Sequence, residues 1–220
     1  MNYQQARQMM VDGQIRPSSI TDPRVTAALG ALPREEFVPA SWKSRAYADA
    51  SVPLQGEGPE IRHMLTPTTL AKLVQAAEIA EHDMVLDVGC GSGYSTAFIA
   101  RIAAFVVGLE QDAGLANEAA TNLAKTETTN AVVVTGMLAE GYSVSAPYDI
   151  IIVEGAVEAE PTALLAQLKD GGRLATIVGV GGSAKATVYV RSGDTVSSKT
   201  VFDASAPILP GFAKSVGFVF

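Results

Sequence analysis

The chain has 220 residues, 48% of them hydrophobic and 18% charged, which is enough apolar material for one sizeable core and too much for a disordered chain. Sixteen basic against twenty-three acidic residues leave a net charge of −7, and no run of Lys or Arg is present to follow a phosphate backbone or an anionic bilayer. Nucleic acid and membrane surfaces are therefore not expected partners. The single cysteine, Cys90, excludes an intramolecular disulfide, and with only His63 and His82 beside it no zinc site of ordinary spacing can be written, so no metal is expected. Residues 1–20 lack the apolar stretch of a signal peptide, and no segment approaches the roughly 18 apolar residues of a spanning helix, so a cytoplasmic location is expected.

In chain order, Asp22-Pro23 reads as an N-cap with proline at the first helical position. Val25, Ala28, Leu29 and Leu32 then recur at helical spacing until Pro33. Glu36-Phe37-Val38-Pro39 and Val52-Pro53-Leu54 read as extended, ahead of a turn at Gly56 and Gly58. Thr66-Pro67 repeats the cap-and-proline pattern, and Leu70, Leu73, Val74 and Ala77 share one helical face. Strands and helices then alternate: strand 84–88, helix 94–101, strand 105–109 closed by Glu110, helix 114–123, strand 131–135, strand 149–153 and helix 161–168. A turn at Gly171-Gly172 leads into strand 173–178. This alternation predicts an α/β fold with a doubly wound, mostly parallel sheet.

Segments 187–190 and 200–202 read as antiparallel strands added at the sheet edge. One domain is expected overall, with residues 1–66 as a helical and irregular extension packed on a core formed by 67–220. The apolar tail from Pro207 to Phe220 packs on the sheet or on another subunit; the sequence does not choose, and it leaves the oligomeric state open.

The stretch Asp87-Val88-Gly89-Cys90-Gly91-Ser92-Gly93-Tyr94 carries the chemistry. A strand running into glycines lets the backbone turn tightly and lets a ligand approach closely, and Glu110 at the end of the next strand is placed to accept ribose hydroxyls. A dinucleotide fingerprint would need a small residue where Tyr94 stands, and Asp87 just before the glycines would repel a pyrophosphate. A cationic nucleoside suits the pattern better: S-adenosylmethionine, an adenosine with a cationic methionine tail. Cys90 reads as a small packed residue of the turn rather than a nucleophile, since no histidine lies near it in sequence.

Beyond this turn the chain resembles the protein-L-isoaspartate (D-aspartate) O-methyltransferase family over most of its length. The likeness is carried by Met10-Val11-Asp12-Gly13-Gln14-Ile15, by Pro33-Arg34-Glu35-Glu36-Phe37-Val38-Pro39 with Ala46-Tyr47-Ala48-Asp49, by the glycine turn, by Ala146-Pro147-Tyr148-Asp149, and by the segment 164–174. The resemblance implies a class I S-adenosylmethionine-dependent methyltransferase fold with a seven-stranded, Rossmann-like sheet. It implies methyl transfer to the carboxylate of L-isoaspartyl residues in damaged protein or peptide, with S-adenosylhomocysteine as product. The expected cofactor-binding set is Asp87, Gly89, Cys90, Gly91, Gly93, Glu110, Gln111, Gly136, Met137, Leu138 and Glu154.

Two positions depart from the family pattern. Where the family has a serine two residues before the proline that opens the helix, this chain has Leu65 before Thr66-Pro67. Where it has Gly-Asp-Gly after the third strand of the sheet, this chain has Gly136-Met137-Leu138, which leaves apolar packing to hold the adenine. A carboxylate acceptor is ionised at neutral pH and needs no general base, so catalysis rests on proximity and alignment. Thr66, Arg62 and His63 are the candidates to position that acceptor: Thr66 as a hydroxyl, though its place before Pro67 reads first as a helix cap, and Arg62 or His63 as partners of its charge. A methyltransferase with another acceptor, and a cofactor-binding protein without isoaspartyl activity, stand as alternatives.

Overall fold

The computed structural model describes residues 2–56, 58 and 61–214; Met1, the tail 215–220, and Glu57, Pro59 and Glu60 of the divergent segment lie outside the described residues. α1 (Tyr3–Met10) is capped by the Asn2 side chain and continues through a wider π turn (Val11–Ile15) into a 3-10 turn (Arg16–Ser18). α2 (Pro23–Ala31) forms as its pattern predicts, with Asp22 as cap, proline in the first turn, and Val25, Ala28 and Leu29 buried. Residues 36–39, expected to be extended, form no strand: Glu36 ends a 3-10 turn at Arg34–Glu36, and a bend follows at 37–38. The turn draws Arg34 inward, where its fully buried guanidinium donates to the carbonyls of Ala46 at 3.0 Å and Leu65 at 2.8 Å.

β1 (Val52–Gln55) pairs antiparallel with β2 (Ile61–Met64), a strand that no sequence pattern announced. α3 (Pro67–Ala77) follows, and then the main sheet: β3 (Met84–Val88), α4 (Tyr94–Ile99), β4 (Phe105–Glu110), α5 (Ala113–Lys125), β5 (Ala131–Thr135), β6 (Tyr148–Val157), α6 (Thr162–Leu165), β7 (Leu168–Val178), β8 (Lys185–Ser192) and β9 (Thr195–Asp203). The sheet order is β5-β4-β3-β6-β7-β8-β9. Strands β5 to β7 are parallel and the last two are antiparallel, which is the seven-stranded, doubly wound arrangement expected, with its edge meander.

Two local expectations are corrected. The helix expected over 161–168 is only Thr162–Leu165, because Leu168 already pairs with Tyr148 as β7 begins. Gly171-Gly172 is not a turn between elements but an irregularity inside β7, where the partner of Tyr148 is Leu168 and that of Ile150 is Arg173. A side chain on Gly172 would meet the Lys169 carbonyl at 2.9 Å, so the close backbone approach requires glycine there.

The strands alternate between two cores, as a period of two demands. Val85, Ile150 and Ile152 face one layer with α3, α4 and the N-terminal region, whose Ile15, Leu29, Leu32 and Phe37 are fully buried in it. Leu86, Val88, Ile151 and Val153 face the other, with Leu164 and Leu165 of α6. The described part of the apolar C-terminal segment, residues 207–214, packs on the sheet: the Ala156 N–H donates to the Pro207 carbonyl, the Leu209 N–H to the Ala156 carbonyl and the Glu158 N–H to the Phe212 carbonyl, with Leu209 and Phe212 buried. Among the described residues no helix is long and apolar enough to cross a membrane.

Candidate active site

In an open parallel sheet a ligand crevice forms beyond the carboxyl ends of the strands, at the point where their order reverses. Here that point lies between β3 and β6. β3 ends in the glycine turn, whose Gly89 and Gly93 have φ of 80° and 90°, a region that strains any other residue. The Gly89 and Cys90 N–H groups both donate to the Leu109 carbonyl, at 2.8 and 3.2 Å, so the end of β4 holds the turn in place.

Asp87 and Glu154 share a sheet face on adjacent strands, since Asp87 pairs with Ile152 and Glu154 lies two residues beyond it. Asp87 Oδ2 accepts from Ser95 Oγ at 2.7 Å and Thr96 Oγ1 at 2.6 Å, while its buried Oδ1 has no partner. Burial, against those two hydroxyls and together with the charge of Glu110, pushes its pKa up to about 6. Glu154 is 5% exposed and its Oε1 also lacks a partner. Burial first, then Asp87, drive it well above the usual carboxylate range, with Arg34 opposing.

Glu110 is saturated. Its Oε1 accepts from the N–H groups of Gln111 (2.8 Å) and Asp112 (3.2 Å), and its Oε2 from the Gly91 N–H (2.8 Å) and Arg62 Nη2 (3.4 Å). Beside it a cavity of about 420 Å³ is lined by Ile61, Arg62, His63, Glu154, residues 207–211 and Ala213.

Of the acceptor candidates, Arg62 and His63 line this cavity, placed there by β2. The Thr66 hydroxyl does not: it caps α3, accepting from the Thr69 N–H at 3.1 Å, which is the structural role its position also suggested. Leu65 is buried, with its carbonyl on Arg34. Cys90 is buried, and burial with the charges of Asp87 and Glu110 pushes its thiol well up, so it is a poor nucleophile. On the far side of Glu110, the Gly136 N–H donates to the Glu110 carbonyl, Leu138 is buried, Met137 is half exposed, and Gln111 Oε1 is buried without a partner.

The sequence reading missed two contributors. Arg34, stacked 4.5 Å from the Tyr94 ring centroid with Nη1 unpartnered, lies in a block quoted only for family likeness. Leu209 of the tail packs over Gly89 and Gly155, and only the apolar character of that segment hinted at it. The two unpartnered acidic oxygens of Asp87 and Glu154 beside the glycine turn fit a cationic nucleoside.

The model of the protein-L-isoaspartate(D-aspartate) O-methyltransferase family (PCMT) matches residues 5–205. A protein-L-isoaspartate O-methyltransferase of Methanoculleus marisnigri is 42% identical over 173 residues, 79% of this chain and 77% of its own length. That of Roseiflexus castenholzii is 36% identical over 215 residues, 97% of this chain and 96% of its own. Among solved structures, a protein-L-isoaspartate O-methyltransferase superposes with a TM-score of 0.83 at 23% identity, covering 93% of this chain, which spans 66% of that one. A Plasmodium falciparum PCMT structure in complex with S-adenosyl-L-homocysteine superposes with a TM-score of 0.74 at 17% identity, covering 92% of this chain and 97% of its own. The fold is thus the class I methyltransferase fold, and the chain belongs to the protein-L-isoaspartate(D-aspartate) O-methyltransferase family.

Proposed function

We propose that the protein is an S-adenosylmethionine-dependent O-methyltransferase that esterifies the carboxylate of L-isoaspartyl residues in proteins or peptides, releasing S-adenosylhomocysteine. The observation that carries this reading is the family match, which spans the N-terminal block as well as the glycine turn. The cofactor supplies a methyl group on a sulfonium, which a carboxylate oxygen takes by displacement while sulfur leaves as a neutral thioether.

The chain's own residues bind and align. Glu110 receives ribose hydroxyls, Asp87 and Glu154 offer acidic oxygens to the cationic tail, and Gly89, Cys90, Gly91 and Gly93 form the bare backbone beneath it. Gln111, Gly136, Met137 and Leu138 flank the adenine. Arg62 and His63 line the cavity that receives the acceptor carboxylate, and no proton need move. Residues 1–66 act as one unit with the core, and a cytoplasmic location suits a repair enzyme with one reduced cysteine.

A second reading, a different carboxylate acceptor, is favoured by Leu65, which brings no hydroxyl to the cavity. Methyl transfer to an isoaspartyl peptide, with the matching aspartyl peptide as control, separates the two. The repair reading expects turnover of the isoaspartyl peptide alone. Cofactor binding by calorimetry without turnover of either peptide would sink it and leave the second reading.

A further inference from the structure

Glu110 presents an accounting problem. An ionised carboxylate offers about four acceptor positions. Three are taken by backbone N–H groups, of Gln111, Asp112 and Gly91, which the turn itself fixes. The fourth is held by Arg62 through the long 3.4 Å contact. A ribose hydroxyl can reach Glu110 only through the position that Arg62 holds.

Two further observations point the same way. Arg62 Nη2 lies 2.8 Å from the point a Cβ on Gly89 would occupy, so the guanidinium rests on the very backbone that the turn leaves bare. Arg62 is only 7% exposed, and its Nε has no hydrogen-bond partner, so the group is under-satisfied where it stands. A planar guanidinium is best satisfied by a carboxylate meeting two of its N–H groups at once. The cavity beside it is lined by the same Arg62, with His63 and Glu154. Glu154 lines the same cavity but makes no ion pair with Arg62, which leaves the guanidinium to an incoming anion.

We propose that Arg62 makes acceptor binding conditional on the cofactor: it rests on Glu110 until ribose hydroxyls claim that oxygen, and it then turns its guanidinium to the acceptor carboxylate in the adjoining cavity. This rests on the reading of that cavity as the acceptor site. Arg62 then acts twice, as a competitor for the cofactor's carboxylate and as the receptor for the acceptor's. Binding is ordered, cofactor first.

Calorimetry with S-adenosylhomocysteine and an isoaspartyl peptide, a pair that cannot react, tests this. Wild-type protein is expected to bind the peptide at least about tenfold more tightly with S-adenosylhomocysteine present, and, by reciprocity, the nucleoside correspondingly more tightly with peptide present. Arg62→Gln is expected to bind S-adenosylhomocysteine as well as or better than wild type, while its peptide affinity in that complex falls by about tenfold or more. Arg62→Lys, which keeps the charge but not the fork, recovers part of the peptide affinity. Should the wild type bind the peptide equally with and without the nucleoside, the switch falls and the acceptor site stands. If Arg62→Gln loses nucleoside affinity, Arg62 is an ordinary cofactor contact and the proposal fails. No peptide binding under any condition would overturn the acceptor site and this proposal with it.

Discussion

Asp87 has one oxygen saturated by two hydroxyls and the other bare, and burial holds its pKa near 6. A net cation bound beside it favours the ionised form. The sign follows: as pH rises through about 6, Asp87 loses its proton, and affinity for S-adenosylmethionine rises with it. Glu154, raised as well, acts in the same direction, while Glu110, Arg62 and Arg34 surround the pair without reversing it. Calorimetric titrations from pH 5 to 8 are expected to show affinity climbing with pH, Asp87 contributing at most about tenfold per pH unit below 6 and Glu154 carrying the rise to higher pH; Asp87→Asn removes the lower part of that slope. A flat profile in the wild type would mean that the bare oxygen does not face the cation. The acid at position 87 was legible from sequence because it precedes the glycines, whereas its hydroxyl partners Ser95 and Thr96 appear only when α4 folds back over β3.

Among the elements, the turn into α4 was the most readable and the β1–β2 hairpin the least. The glycines of the turn announce themselves because nothing else tolerates their backbone. Gly93 adds a packing reason: a Cβ there would stand 3.0 Å from the Cβ of Ala119 and 3.1 Å from its Cα, jamming α4 against α5. Gly93→Ala is expected to destabilise the fold by about 1–3 kcal/mol, read from urea denaturation, with cofactor affinity falling as the turn opens. Unchanged stability would show that α5 can retreat. The hairpin escaped notice because Ile61-Arg62-His63-Met64 shows no clean alternation, with Arg62 itself buried in the strand. Its tip is fastened by tertiary contacts: the Gly58 N–H donates to Asp112 Oδ2 at 2.6 Å, and Gly56 packs against the same carboxylate. Asp112 also caps α5 through the Leu115 N–H, so one side chain joins the hairpin to the cofactor-side helix.

At the scale of the whole molecule, the N-terminal region is part of the main core rather than an appendage. Its apolar residues are buried in one cluster with α3, α4 and the inner strands, and within it Arg34 donates to the carbonyls of Ala46 and Leu65. The part-buried contacts of Arg7 with Tyr47 and Glu35, and the buried one of Tyr47 with Glu35, add a polar joint within it. Trp42, the chain's one tryptophan, lies in this region and partly packs on that core. Unfolding followed by Trp42 fluorescence is therefore expected to coincide with unfolding followed by far-ultraviolet circular dichroism, at the same denaturant midpoint. An earlier fluorescence transition would mean that residues 1–66 come away as a separate unit.

The sequence alone settled what depends on local chemistry and period. Strand–helix alternation with apolar runs, proline-first caps at Asp22 and Thr66, and glycines that only a tight turn needs each leave their mark within a few neighbouring residues. Tertiary structure decided what depends on neighbours far apart in the chain. It drew Arg34 into the core and folded residues 207–212 across β6 so that Leu209 covers Gly89. It also set Arg62 on Glu110, 48 residues away. A side chain's partner is fixed by which lone pairs and donors remain unmet once the backbone is in place, and no pattern along the chain records that balance.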